Sequence, residues 1–542
     1  MGALGEKKKL STTRNKQRAN MSFFLVVIFF AVFGIIVFTE IFLIDERGRG
    51  AGVLVRHGSI PYHRKNHERP DYEDVMQSDD YISVRMGMGG PLDETVGSLL
   101  IGRHNGPVPF FQAPNNQEQQ AINEQQLPPY PVNVTPSEGS WQTVNGTRFK
   151  FFVYSAYFDG RKDQRSVRII AATKTRGATR VWCRLWYKSQ EGNSTGFISK
   201  TIASKLKVIR ENWNLKYSAC FLLCPLDKDH QIPSAVSIVS RIWNSPSNLL
   251  TVMNNRNDTH RTGTTTNGGI TLNVCVKPLH FEYNKAVPLL EFIELHRILG
   301  AGHFTFYNHT VGPQVACLLE RYVAEGVVTL LPWDLNMASQ KDIRTEGLFA
   351  ALNDCLYRSM YRFSHAIMID LDEFIIPRHN DTIPHLLEWL GEKINSKLTG
   401  SYSFQNGFFY LQWEDDNTLY NKDIIASSLL TLKKTRRKYK LHPHKQRSKY
   451  ICRPEFVVET GNHFIWEFLP GHNTFNVPSD AAILHHYRVC EFGGDDCVQT
   501  ASVVDRTTFK YTDRLIKSVR GLYDRYKDSC LLQELQWSYS WR

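Results

Sequence analysis

The sequence predicts an α/β fold with a parallel-rich sheet, preceded by a small β-rich region, a flexible stem and one transmembrane helix. Three observations predict it. A charge-free apolar run lies near the N-terminus, a Gly-, Pro-, Gln- and Asn-rich stretch follows, and from residue 270 short strands alternate with amphipathic helices.

The 542 residues include 31 Phe, 23 Tyr and 11 Trp, enough apolar material for a large core and more than one domain. The net charge is +12, but residues 1–20 carry Lys7, Lys8, Lys9, Arg14, Lys16 and Arg18 against Glu6, leaving +7 for the remainder. That is not the profile of a nucleic-acid-binding protein.

Met21 to Thr39 are nineteen residues without a charge. The length matches the ~20 residues that cross a bilayer and exceeds the ~7–15 of a cleavable signal core. With six basic residues before the run, the positive-inside rule predicts a cytoplasmic tail over 1–20, a signal-anchor over 21–44 and a lumenal remainder. All ten cysteines lie beyond the run, an even count suited to an oxidising compartment. Glycosylation sequons begin at Asn133, Asn145, Asn193, Asn257, Asn308 and Asn380. Cys220 and Cys224 have no Cys/His pair at zinc-site spacing, so they read as disulfide or buried thiol.

Residues 45–147 read as the stem, because their composition cannot bury enough apolar surface to offset ordering entropy. Residues 148–269 read as a β-rich accessory region, with runs such as Phe149–Tyr154 and Ser166–Ala171, and suggest no function. From 270 to 542 the rhythm is α/β. Strands are predicted at Thr271–Val276, His303–Tyr307, Val327–Leu331 and Ala366–Ile369, with helices at Val287–Leu299, Gln314–Glu325 and Glu346–Tyr361 between them.

The fourth of these strands runs directly into Asp370-Leu-Asp372. Two carboxylates at the C-terminal end of a parallel strand stand at the ligand edge of an α/β sheet, where a divalent ion carrying a diphosphate needs oxygen ligands. Glu373 is expected to point away, since strand residues alternate faces.

Val274-Cys-Val-Lys-Pro-Leu279, Phe281-Glu-Tyr-Asn284, Leu290 to Gly302, Phe306-Tyr-Asn-His309, Asp370-Leu-Asp-Glu-Phe374, Cys452-Arg-Pro-Glu455 and Leu484-His-His-Tyr-Arg488 together resemble glycosyltransferase family 92, once catalogued as domain of unknown function 23. The likeness runs roughly from Phe149 to Asp528 and is strongest over 272–490. It implies a GT-A-like nucleotide-sugar-binding domain over 270–542 and a type II, single-pass Golgi membrane enzyme. Animal members resemble β-1,4-galactosyltransferases that use UDP-galactose and Mn²⁺ on glycoprotein glycans, including core fucose of N-glycans and terminal galactose.

The resemblance implies roles residue by residue. Asp372 and Asp370 would hold the metal, joined by His485 or His486, of which only one faces the site if the segment is extended. Lys277, Asp370, Lys449 and Arg453 would bind the donor. By analogy with other galactosyltransferases, Trp413 would stack on the acceptor while Asp415 or Glu414 removes its proton. The basic tract from Lys433 to Lys440 reads as a solvated loop in a lumenal domain. Two other expectations remain open: another UDP-sugar on the same fold, and a non-catalytic, membrane-anchored glycan-binding protein.

Overall fold

The computed structural model describes residues 126–535, apart from 163–164, 192–193, 228–230, 256–268, 419–422 and 491–496. The expected tail, signal-anchor and most of the stem lie outside the described residues, as do Asn193 and Asn257. Among the described residues, no helix is long and apolar enough to cross a membrane.

The β-rich region is one nine-stranded sheet. Its strands are β1 (Gln142–Thr143), β2 (Phe151–Asp159), β3 (Ser166–Lys174), β4 (Trp182–Glu191), β5 (Ser194–Ala203), β6 (Lys205–Val208), β7 (Tyr217–Pro225), β8 (Ala235–Val239) and β9 (Leu250–Met253). They lie in the order β5-β4-β8-β9-β2-β3-β7-β6, with β1 on β2. Strand β1 lies inside the expected stem, and beside it the Trp141 ring packs 4.9 Å from Tyr154 and 5.1 Å from Trp333.

The second region follows the predicted alternation closely: β10 (Leu272–Val276), α1 (Ala286–Ile298), β11 (His303–Asn308), α2 (Pro313–Ala324), β12 (Val328–Pro332), α3 (Leu348–Ser359) and β13 (His365–Ile369). Apolar β-branched and aromatic runs make the strands, and Pro313 at the first turn of α2 costs no hydrogen bond there. These four strands are parallel and lie in the order β12-β11-β10-β13. Strand order thus reverses between β10 and β13, which opens a crevice beyond their carboxyl ends.

Beyond β13 the chain departs from simple alternation. A short turn leads into β14 (Glu373–Pro377), then α4 (Ile383–Lys393), β15 (Thr399–Phe404) and β16 (Asn406–Tyr410). Next come β17 (Arg436–Lys438), β18 (Lys449–Cys452), β19 (Val457–Thr460), β20 (Ile465–Phe468), β21 (Asn473–Asn476), β22 (Ala482–Arg488), β23 (Ser502–Val504) and the terminal helix α5 (Thr512–Tyr526). Strand β18 adds antiparallel to β13, while β14, β22 and β16 form a separate three-stranded sheet.

The nine-stranded sheet and the α/β region share a buried polar seam. Asp354 on α3 accepts from Ser155 and Tyr157 of β2 at one oxygen, and from Tyr307 (2.7 Å) and Arg358 (3.0 Å) at the other. Four disulfides join Cys183 to Cys224, Cys275 to Cys355, Cys317 to Cys530 and Cys490 to Cys497, leaving Cys220 and Cys452 as buried thiols.

Candidate active site

The crevice between β10 and β13 collects the charged residues. Lys277 follows β10 directly, Asp370 follows β13, and Lys449 opens β18, whose antiparallel course brings its first residue to the same edge. Asp370 Oδ2 receives Lys277 Nζ at 2.6 Å and Lys449 Nζ at 3.0 Å. Burial by itself would raise the Asp370 pKa, but the two ammonium groups outweigh it and hold the carboxyl well below its ordinary range. Its other oxygen, Oδ1, is buried with no hydrogen-bond partner among the described residues.

Glu373 corrects an expectation. It points into the cluster: Oε2 accepts the Asp370 N–H at 2.9 Å and lies 3.4 Å from Lys449 Nζ. Face alternation does not run through from β13, because Asp370 to Asp372 form a turn and β14 begins a new strand at Glu373. Burial pushes the Glu373 carboxyl up to about 7; Lys449 opposes this and Asp370 adds to it.

The same alternation separates the two late histidines. In β14-β22-β16, His486 lies opposite Glu373 and Phe408, whereas His485 lies opposite Phe374 and Gly407. Successive residues of β22 take opposite faces, so His486 joins the acidic cluster. Its Nε2 is 3.3 Å from Asp372 Oδ2 and its Nδ1 is 3.3 Å from Glu373 Oε1. Burial lowers its pKa, but Asp372 and Glu373 raise it further, for a net upward shift. His485 is turned to the core, stacked 4.4 Å from Phe409, and burial drives its pKa down to about 3. That places it on the face away from Asp372.

Two expected site residues stand elsewhere. Arg453 follows the far end of β18, beyond the strand that Lys449 begins, and so lies at the opposite edge of the sheet from Asp370. There its guanidinium covers the Phe456 ring at 4.2 Å and lines a cavity of about 260 Å³ with His365 and Tyr402. Trp413 is not an open stacking platform. It is 7 % exposed, packed with Phe408, Tyr410 and Cys490, and its Nε1 donates to the Val498 carbonyl at 2.8 Å.

Asp415 is held by Lys434 at 2.6 Å, and Glu414 beside it is exposed. Asp416 accepts from Thr435 and Arg506 at 2.6 Å each, a structural tie. The basic tract is likewise structural in part: Arg437 pairs with Asp505 at 2.9 Å, and β17 pairs with β23. Of the sequons, Asn133 and Asn145 are exposed, while Asn308 and Asn380 are half-buried.

Three contributors had no signal in the sequence. Asn462 Oδ1 accepts Lys449 Nζ at 2.9 Å. His463 is held neutral by burial and by Lys449, Lys277 and Arg447 around it. Glu211, from the β-rich sheet, accepts the Asn462 N–H at 3.0 Å. Asn462 and His463 sit in the short connection between β19 and β20, and Glu211 reaches Asn462 from 251 positions away in the chain, so no local pattern marks them.

Among the described residues, no three His, Cys, Asp or Glu side chains converge as a complete metal-ligand group. A partial set is present: the contacting Asp372 and His486, with the unclaimed Asp370 Oδ1 in the same cluster. Carboxylate and imidazole donors with positions left for substrate oxygens fit a hard divalent ion.

Lysines and carboxylates thus line a crevice at the switch point of the sheet, where open α/β sheets take their ligands. Residues 270–527 match the family model for glycosyltransferase family 92. A glycosyltransferase family 92 protein, F13G3.3 of Caenorhabditis elegans, is 28% identical over 144 residues, covering 24% of this chain and 28% of the relative. The galactan beta-1,4-galactosyltransferase GALS1 of Arabidopsis thaliana is 28% identical over 138 residues, covering 22% and 27%. The chain therefore spans well under a third of either relative. Among solved structures, glucosyl-3-phosphoglycerate synthase from Mycobacterium tuberculosis aligns at TM-score 0.19 and 14% identity, covering 34% of this chain and 58% of that one. Mannosyl-3-phosphoglycerate synthase from Rubrobacter xylanophilus aligns at TM-score 0.20 and 12% identity, covering 49% and 77%. Structural overlaps this slight carry no weight for function.

Proposed function

We propose that this protein is a metal-dependent, inverting glycosyltransferase that moves galactose from UDP-galactose, in β-1,4 linkage, to a glycoprotein glycan. The observation that carries this reading is the joining of Lys277, Asp370 and Lys449 to the Asp372–His486 pair, in a switch-point crevice of the segment that matches the family 92 model. Galactose and the linkage rest on the plant relative's name and on the family resemblance.

Lys277 and Lys449 would meet the diphosphate, exchanging part of their attraction to Asp370 for the phosphate charge. Asp372 and His486 would hold Mn²⁺ or a similar ion, with Asp370 Oδ1 in reserve. When bound, such an ion stabilises charge on the departing UDP. Glu373 locks the turn by accepting the Asp370 N–H, and contacts His486 Nδ1, which leaves Nε2 for the metal side. Asp415 or Glu414 would take the acceptor proton, and a single displacement would turn the donor's α-linkage into a β-linkage. The charge-free run at 21–39 and the sequons support a type II Golgi membrane protein with its catalytic domain in the lumen.

The test is UDP release from a panel of UDP-sugars by the full chain, with and without Mn²⁺, in the presence of an N-glycan acceptor. Galactose-selective release that stops in excess EDTA is expected. Undiminished transfer in EDTA rules out the metal assignment, and the absence of release from any UDP-sugar rules out the donor reading.

A further inference from the structure

The β-rich sheet touches the candidate donor site through the loop joining β6 to β7. That loop is braced by its own polar groups: Asn212 Nδ2 donates to the Ile209 carbonyl at 3.1 Å, and the Asn214 N–H donates to Asn212 Oδ1 at 3.0 Å. Trp213 and Asn214 have φ of 56° and 54°, left-handed values that cost non-glycine residues free energy and persist where surroundings over-determine them. Two anchors do so. The Arg210 N–H donates to buried Glu459 at 2.8 Å, and the Trp213 ring lies 4.5 Å from the Arg344 guanidinium.

The braced loop delivers Glu211 to a fixed point. Its Oε2 accepts both the Asn462 N–H and Trp466 Nε1 at 3.0 Å. This approach depends on Gly461, because a Cβ there would collide with Glu211 Oε2 and the Trp466 ring. Asn462 in turn accepts Lys449 Nζ at 2.9 Å, and the same nitrogen reaches Asp370 Oδ2 at 3.0 Å and Glu373 Oε2 at 3.4 Å. An ammonium has three donors, and these three acceptors account for them. Remove the Asn462 contact and the long, flexible lysine is under-determined.

We propose that Glu211 is a positioning residue of the donor site: by fixing Asn462, it holds Lys449 in place to receive a nucleoside diphosphate. The β-rich region is then a working part of that site. The inference rests on the donor reading above.

The experiment measures UDP and uridine binding to the full chain in Mn²⁺, by calorimetry and ligand-observed NMR, together with the melting temperature. Glu211→Ala weakens UDP by about tenfold, the size of one lost hydrogen bond to a charged group, and leaves uridine unchanged, because uridine brings no phosphate to Lys449. Glu211→Gln, which keeps an accepting oxygen, binds UDP like the parent. In a Lys449→Ala background, Glu211→Ala adds no further loss, because the two act through one nitrogen. Asn462→Ala repeats the comparison should Glu211→Ala not fold. Parental UDP affinity in both alanine variants overturns the relay, as does an equal loss for uridine or a full extra loss on top of Lys449→Ala. No UDP binding by the unaltered chain overturns the donor reading itself, and the relay with it.

Discussion

Asp372 and His486 differ from the residues beside them in what they face. Asp372 has 44 % of its side chain exposed and, among the described residues, no side-chain tie but His486, so Asp372→Asn is expected to reduce turnover by orders of magnitude with little change in melting temperature. His486→Ala should weaken apparent Mn²⁺ affinity more than tenfold, in the range of lost metal-site partners. His485→Ala should leave Mn²⁺ affinity alone and instead cost about 2–4 kcal/mol of stability, because it empties a packed site against Phe409. Metal titration and urea melts on the two variants decide this, and equal effects on Mn²⁺ would sink the assignment of His486. For the base, Asp415→Asn or Glu414→Gln should lower transfer roughly 10²–10⁴-fold without matching loss of donor binding. Near-parental rates in both variants send the search for the base elsewhere.

At the scale of elements, the alternation from β10 to β13 was legible because buried parallel strands are short apolar runs and the segments between them are long enough, with apolar residues at helical spacing, to read as helices. Glu373 was misread because a three-residue turn resets the strand phase, and Trp413 because an aromatic beside acids looks alike in a core and on a surface. Helix α3 shows what burial adds. Asp354 serves Arg358 and Tyr307 on its own side of the seam and two hydroxyls across it, so Asp354→Ala should destabilise by about 3–5 kcal/mol, the cost of stranding a buried partner charge. A urea midpoint barely moved by that substitution would show the seam to be dispensable.

For the whole molecule, buried neutral histidines contribute to the response to acid. Burial lowers His296, stacked on Phe374, to about 4, and His365 to about 3; in His365 the charge of Arg453 adds to the effect. Both titrate near 6.5 in the unfolded chain. Between those values the unfolded state binds more protons, so stability is complete above about pH 6.5 and is lost as pH falls toward 4. The loss is on the order of 1–3 kcal/mol per histidine. Denaturation curves at pH 7, 5.5 and 4.5 should show it, and His296→Phe should flatten the slope. A slope that His296→Phe leaves unchanged removes this histidine from the account.

The sequence by itself determined the location of the α/β domain, the Asp-x-Asp at the end of its fourth strand and the family resemblance, because hydrophobic period and short motifs are local properties of the chain. Only the tertiary structure decided which histidine faces the acids, that Lys277 and Lys449 converge on Asp370, that Arg453 lies at the wrong edge and that the β-rich sheet reaches Lys449 through Glu211 and Asn462. Those facts depend on strand pairing and on contacts between residues up to 251 positions apart. Side-chain types and spacing do not encode them in any window of sequence.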